Sequence, residues 1–243
     1  MAVRGVGDNL KMANANWNFE HGVAENFDQH VRRSVPFYEE GHKLISRVSD
    51  YFIYNDSICY ELGCSTGELT LALAKHNAHK PAARFVAIDS SNEMIAQAEA
   101  KLQKEAEPRA QVEFIQDNVL SYSFAPADLI ASYYTLQFVR PSEKQILVDK
   151  VYQALKWGGG FLLFEKVRAC DARFQDMMTG LYTDYKLEQG YSGEEIVAKA
   201  RSLKGALEPF STNGNLEILK RAGFVDIISI FKYVCFEGFL AIK

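Results

Sequence analysis

The chain has 243 residues, 48% of them hydrophobic and 24% charged, with a formal net charge of −4. That length fills one α/β domain and falls short of two ample ones. The acidic balance lays down no broad footprint for nucleic acid, and no apolar run approaches the ~20 residues that cross a bilayer, so a small-molecule substrate is expected, with no direct nucleic-acid partner and no membrane.

Cys59, Cys64, Cys170 and Cys235 show no C-x-x-C spacing and read as reduced thiols. No segment joins a basic start to a long apolar core, and a cytoplasmic location is the expectation.

In chain order, residues 1–15 are polar and aperiodic and predict a mobile leader, ahead of one domain over 16–243. Apolar residues at helical spacing, among them Leu44, Ile45, Val48 and Phe52, predict cap helices within 20–52. Strands and helices then alternate: strand 57–62, helix 67–76, strand 84–89, helix 91–104, strands 112–116 and 128–132, helix 142–156 and strand 161–166. Such alternation predicts a doubly wound, mostly parallel sheet with right-handed crossovers. Ser90 and Glu93 read as a capping box for the second of these helices, and Gly158-Gly159-Gly160 as a helix stop. Residues 170–222 lack strand signals and predict lid helices at 171–188, 193–205 and 214–222, the last ended by Gly223. The runs 225–231 and 234–242 predict a hairpin turning around Lys232 and Tyr233.

The densest chemistry lies at Ser57-Ile-Cys-Tyr-Glu61-Leu-Gly63-Cys64-Ser65-Thr-Gly67. An apolar strand runs into two glycines and a helix follows, an order that brings unpaired helix N–H groups and bare main chain to one ligand. The dinucleotide fingerprint and the phosphate loop of nucleoside triphosphatases are both absent. Asp89 closes the next apolar run, at about the ~20-residue offset from which a carboxylate takes a ribose diol. Asp117 and Asn118 follow the third strand, where they suit either an adenine contact or a turn. The fourth strand ends Ser132-Tyr133-Tyr134-Thr135-Leu136-Gln137-Phe138, whose rings suit either a wall around a cationic group or a core.

The pattern Glu61-x-Gly63-x-Ser65-x-Gly67 followed by Asp89 resembles that of class I S-adenosylmethionine-dependent methyltransferases. The resemblance implies a Rossmann-like sheet of seven strands ending in an antiparallel one, N-terminal helices, a helical lid inserted after the fifth strand, and S-adenosyl-L-methionine as cofactor. It implies cofactor-binding roles for Tyr38, Glu61, Gly63, Cys64, Ser65, Gly67, Asp89, Ser90, Met94, Asp117, Asn118 and Tyr133. There is no Asn-Pro-Pro-Tyr motif, which argues against methylation of amino groups on DNA or of protein glutamine.

A narrower resemblance runs from about Trp17 to Lys243. Arg33-Ser34-Val35-Pro36 with Tyr38, Leu62-Gly63-Cys64-Ser65, Ala87-Ile88-Asp89, Thr135-Leu136-Gln137-Phe138, Asp149-Lys150-Val151-Tyr152-Gln153, Glu165-Lys166 and Gly190-Tyr191-Ser192 are similar to words of the carboxy-S-adenosylmethionine synthase family. That family makes a carboxymethyl donor for wobble-uridine modification of tRNA from S-adenosylmethionine and prephenate. Two positions depart from it: Tyr133 stands for the family's asparagine, and Ala200 for the arginine that grips the extra carboxylate, with Arg201 one residue later. A guanidinium is the natural bidentate clamp for a carboxylate, and alanine offers nothing in its place.

The expectation is therefore a methyltransferase acting on a small amino-acid or α-keto-acid derivative. Carboxy-S-adenosylmethionine synthesis, with Arg201 as the clamp, and a non-catalytic cofactor-binding module are the other readings. Tyr133, Tyr134 and Arg201 are the catalytic candidates, and Tyr182, Tyr185 and His30 join the tyrosines as candidate bases where the acceptor needs one. His21, His30, His42, His76 and His79 show no metal-ligand spacing, and no metal is expected. The family resemblance implies a homodimer.

Overall fold

The computed structural model describes residues 3–15, 17, 19, 23–106 and 109–243. The elements are β1 (Arg4–Gly7), β2 (Leu10–Met12), α1 (Val23–Ser34), α2 (Tyr38–Ser49), β3 (Ile58–Leu62), α3 (Glu68–His76), β4 (Arg84–Asp89), α4 (Asn92–Lys104), β5 (Gln111–Gln116), β6 (Ala127–Tyr133), α5 (Pro141–Ala154), β7 (Leu155–Lys166), α6 (Ala172–Glu188), α7 (Gly193–Ser202), α8 (Thr212–Ala222), β8 (Asp226–Tyr233) and β9 (Phe236–Ile242).

The large sheet has seven strands in the order β5-β4-β3-β6-β7-β9-β8. β5, β4, β3, β6 and β7 are parallel, and β9 joins β7 and β8 antiparallel. The fold is the doubly wound, Rossmann-like one expected. From β3 the chain winds outward through β4 to β5 and then returns to lay β6 on the other side of β3. That reversal opens a crevice at the carboxyl ends of β3 and β6, where doubly wound sheets bind ligands.

Apolar residues on both faces of the central strands explain the two layers of helices. Cys59, Phe85, Leu129, Leu162 and Phe164 pack with Ile45, Leu69 and Leu73 on one face. Leu62, Ile88, Ile130 and Phe161 pack with Val148 and Val151 of α5 and Leu219 of α8 on the other. α8, which the sequence places among the lid helices, is therefore a core-covering helix.

Several local expectations are corrected. Where the sequence predicts a mobile leader over 1–15, Arg4–Met12 form an antiparallel hairpin; its two turn residues, Asp8 and Asn9, take φ of 52° and 62°. Positive φ at both turn residues matches the right-handed twist of paired strands, and Asx side chains tolerate it well. Met1 and Ala2 lie outside the described residues, as do 20–22 at the start of the expected cap segment. The cap of α4 is Ser91, whose hydroxyl accepts from Met94 N–H, and the helix starts one residue later than the Ser90 capping box predicts. α5 ends at Ala154, so the glycine triplet lies inside β7, at the register shift opposite Ala127 and Leu129. The last hairpin turns at Val234 and Cys235, between the paired Tyr233 and Phe236.

Gly63 is a tight joint of this frame. Its φ is +70°, and a Cβ there would overlap the Thr135 side chain. Gly63→Ala is expected to cost about 2–4 kcal/mol, backbone strain and overpacking together. Urea unfolding measures it, and an unchanged midpoint would show that Thr135 yields freely.

Candidate functional site

A cavity of about 780 Å³ lies over the carboxyl ends of the parallel strands. Across it, in the order of the sheet, stand Asp117 after β5, Asp89 on β4, Gly63 after β3, Tyr133 and Tyr134 at the end of β6, and Lys166 on β7. One end is thus acidic, the middle aromatic and the other end cationic.

The glycine loop is held from below by main chain. Gly63 N–H and Cys64 N–H both donate to Ile88 O, at 2.8 and 3.0 Å. Asp89 then uses both its oxygens on backbone: Ser65 N–H donates to Oδ2 at 2.8 Å and Ser91 N–H to Oδ1 at 2.9 Å. Burial raises the Asp89 pKa, and these backbone donors oppose the rise. Ser65 is left-handed without being glycine, with φ of 49°. Gly67 caps α3 and packs on Phe114 and Ala98, outside the cavity lining.

Tyr38, Glu61, Cys64, Ser65, Ser90, Met94 and Asn118 line the cavity as well, so the structure gathers every expected cofactor-site residue except Gly67. Glu61 is buried and accepts from Thr70 Oγ1, and burial pushes its pKa up to about 8, so its carboxyl holds a proton at neutral pH in this state. Asp117 Oδ1 accepts from Asn118 N–H at 2.6 Å, and Asn118 Oδ1 from Leu120 N–H at 2.9 Å. Both therefore shape the turn that they border.

The aromatic middle is closely knit. The Tyr133 ring lies 5.2 Å from Tyr38, 4.9 Å from His42 and 4.6 Å from Tyr134. Tyr133 donates its hydroxyl to Tyr38 O at 2.7 Å. Tyr134 sits at φ of 61° and donates its N–H to Phe164 O at 2.8 Å. Left-handed backbone at a bulky residue is a strained conformation, held here by neighbours packed on both sides.

Two expectations about catalytic groups are corrected. Burial raises the pKa of Tyr133, Tyr134, Tyr182 and Tyr185, so all four stay neutral phenols in neutral water and act as donors, not as bases. Arg201 is exposed and lies outside the cavity lining, as does Ala200. On a helix of 3.6 residues per turn, a residue two positions from Lys199 points to the opposite side, and it is Lys199 that reaches the cavity. His21 lies outside the described residues.

Residues that the sequence reading missed complete the site. Trp17 and Phe19 cover it from the N-terminal side, and Lys166, Lys186 and Lys199 line the end toward α6 and α7. Lys166 had a readable signal, since it follows the wholly buried run Phe161–Glu165 at a strand's carboxyl end. Lys186 and Lys199 had none beyond charge on an amphipathic helix. Among the described residues no group of His, Cys, Asp and Glu is placed to hold a metal, and no helix is long and apolar enough to cross a membrane.

Residues 60–159 match the model of a methyltransferase domain. The chain is 37% identical over 227 residues to carboxy-S-adenosyl-L-methionine synthase of Campylobacter lari, covering 93% of this chain and 94% of that protein. It is 34% identical over 230 residues to the protein of the same name from Staphylococcus epidermidis, covering 93% and 97%. The chain belongs to the carboxy-S-adenosyl-L-methionine synthase family. Among solved structures, an O-methyltransferase family protein from Burkholderia thailandensis superposes with a TM-score of 0.63 at 14% identity, covering 90% of this chain and 59% of that one. An S-adenosylmethionine-dependent methyltransferase from Methanosarcina mazei gives 0.56 at 20% identity, covering 80% and 95%. These share its fold. As a member of this family the protein is a methyltransferase-type transferase whose cofactor is S-adenosyl-L-methionine.

The site also sets a pH dependence of stability. Burial lowers the pKa of His30 to about 3 and of His42 to about 4, below the ordinary 6.5, and in both a nearby cation adds to the effect. Both imidazoles are neutral when folded and take up protons on unfolding, so their contribution is full above about pH 6.5 and is lost as pH falls toward 4 and 3. Thermal unfolding is expected to show a falling Tm over that window, and His42→Gln to make the fall shallower.

Proposed function

We propose that this protein transfers the S-adenosylmethionine methyl group to a small-molecule acceptor, an amino-acid or α-keto-acid derivative. The observation that carries this reading is the pair of departures from its family. The residue at the family's arginine position, Ala200, is exposed and outside the cavity. Tyr133, at the asparagine position, has its hydroxyl already committed to Tyr38 O. The arginine that would grip an extra carboxylate on the cofactor is thus replaced, and so is the asparagine, while the residues of the cofactor cradle are retained.

The residues fit the cofactor. Main chain is bare at Gly63, where any side chain would collide, and the carboxylates of Asp89 and Asp117 give this end of the cavity the sign that suits a cation. Each Asp89 oxygen accepts one backbone N–H and keeps lone pairs for a ribose diol. Gly63 to Ser65 would hold the methionine part, Asp89 and Ser90 the ribose, and Asp117 with Asn118 the adenine. When bound, the cofactor supplies an electrophilic methyl on a sulfonium. The protein's own part is alignment: Tyr133 and Tyr134 wall the middle of the cavity and exclude water.

Carboxy-S-adenosylmethionine synthesis is the second reading. It is favoured by the identity to proteins of that name over 93% of the chain.

Mass spectrometry of the small molecule retained through purification separates the two. S-adenosylmethionine or its demethylated product is expected, and no carboxylated cofactor should form on incubation with S-adenosylmethionine and prephenate. A bound species heavier by one carboxylate would falsify methyl transfer as the primary activity. Asp89→Ala is expected to weaken cofactor binding by about 1–3 kcal/mol, roughly 5- to 150-fold in Kd, measured by calorimetry. Unchanged affinity would place the ribose elsewhere.

A further inference from the structure

The three cavity lysines stand across the sheet from the Asp89 end of the cavity, and they come from three different elements. Lys166 lies at the end of β7, Lys186 on α6 and Lys199 on α7, and all line one end of the cavity with Tyr182 and Trp17. Their ammonium groups rest on rings: Lys166 and Lys186 lie 4.3 and 4.4 Å from the centre of Tyr182, and Lys199 lies 3.8 Å from Trp17. Among the described residues no carboxylate reaches within salt-bridge distance of any of them. Asp8 is the acid that acts on Lys199. Its carboxylate is already taken, by Tyr191 O–H at 2.5 Å, His30 Nδ1 at 2.8 Å and the Arg33 guanidinium.

Clustering cations out of water without counter-ions is costly unless a ligand supplies the charge. The cost is visible in the lysines themselves. Burial, and then mutual repulsion, lowers the pKa of Lys186 to about 8 and that of Lys199 well below the ordinary range, and burial lowers that of Lys166. A second observation points the same way. Trp17 is 9% exposed and lines the cavity, and its Nε1–H has no acceptor among the described residues. A buried N–H donor without a partner is rare in a finished site. Lys199 has one acceptor, His30 Nε2, while no carboxylate among the described residues answers the three ammonium groups and no acceptor among them answers Trp17 Nε1.

We infer that Lys166, Lys186, Lys199 and Trp17 Nε1 form the subsite for a compact anionic head on the second substrate, a carboxylate or a phosphate monoester, opposite the acidic end of the cavity. The inference rests on the reading of the acidic end as the cofactor cradle. In the order of the sheet, Tyr133 and Tyr134 lie between the two ends, so an acceptor anchored on the lysines would present its body to the aromatic wall and its far atoms toward the cofactor. Ala200 and Arg201 play no part; the cation that reaches inward from this turn of α7 is Lys199.

The test uses the full chain saturated with S-adenosylhomocysteine, titrated by calorimetry with phenylpyruvate, phenyl phosphate and the neutral phenylacetone. One anion is expected to bind about tenfold or more tightly over phenylacetone; which of the two binds better tells a carboxylate from a phosphate substrate. Lys166→Met and Lys186→Met should each weaken the anion by about fivefold or more and leave phenylacetone and S-adenosylhomocysteine unchanged. Should a variant fail to fold by circular dichroism, the wild type still decides. An anion raises the lysine pKa values, so near about pH 8.5 its binding should take up protons, read from heats in two buffers of different ionisation enthalpy. Asp8, His30, Tyr182 and Cys235 also face these groups, and Lys186→Met should diminish the uptake if the lysines are its source. Equal affinity for all three compounds, or none for any while S-adenosylhomocysteine still binds, overturns the subsite. Failure of S-adenosylhomocysteine itself to bind overturns the functional reading instead.

Discussion

The carboxylate of Asp89 is the constraint on which the site depends. One oxygen takes the Ser65 amide and the other the Ser91 amide, so a single side chain at the end of β4 fixes both the glycine loop after β3 and the entry to α4. Ser65 is in a left-handed conformation that a non-glycine residue leaves readily, and the bond from its own N–H to Asp89 opposes that escape. The same residue borders the cavity. The side chain is first a staple, and each of its oxygens keeps lone pairs beyond the one that the staple uses. Backbone donors and burial act on it in opposite senses, which is how a buried acid stays available to accept.

From that staple the rest of the site follows by topology. The strands lie in the order β5, β4, β3, β6 and β7, and the residues that end them run from acid through glycine and tyrosine to lysine. Side chains at successive strand ends are separated by the strand spacing of roughly 4.8 Å, so a gradient of charge across the sheet becomes a gradient along a cavity. The aromatic middle keeps unlike charges apart and excludes water between them. Phenols that burial holds neutral suit this position, since a phenolate there would pair with the lysine end and repel the acidic one.

How much of this could be read from the residues differs by element. The parallel strands and their glycine loop were legible because both signals are local: an apolar run fixes a buried strand, and Gly63 and Gly67 mark where the chain turns. The cradle residues followed from them. Others depended on tertiary choices. The cap of α4 moved from Ser90 to Ser91 because Asp89 claims the amide of Ser91, a contact no propensity encodes. The end of α5 and the start of β7 are set by pairing with Ala127, not by the glycine triplet. Arg201 looked suitable by charge and sequence offset, yet the rotation of α7 turns it out and turns Lys199 in. The N-terminal hairpin was hidden by polarity, although its Asp-Asn turn carries the signal for it.

That hairpin is more than a cover. Asp8 stands at its turn with no exposed side-chain surface and meets Arg33 and His30 from α1 and Tyr191 from the segment between α6 and α7. Because neutral His30 donates its Nδ1–H to Asp8, its Nε2 is left as the acceptor that faces the Lys199 ammonium. Reversing the tautomer would set a donor against a donor there. The hairpin therefore fixes the direction in which Lys199 is held, and the N-terminal strands, the first helix and α7 meet in one buried polar cluster beside the cavity. Their joint work is to hold the Lys199 amine toward the cavity, a task that neither α7 nor the sheet could perform alone.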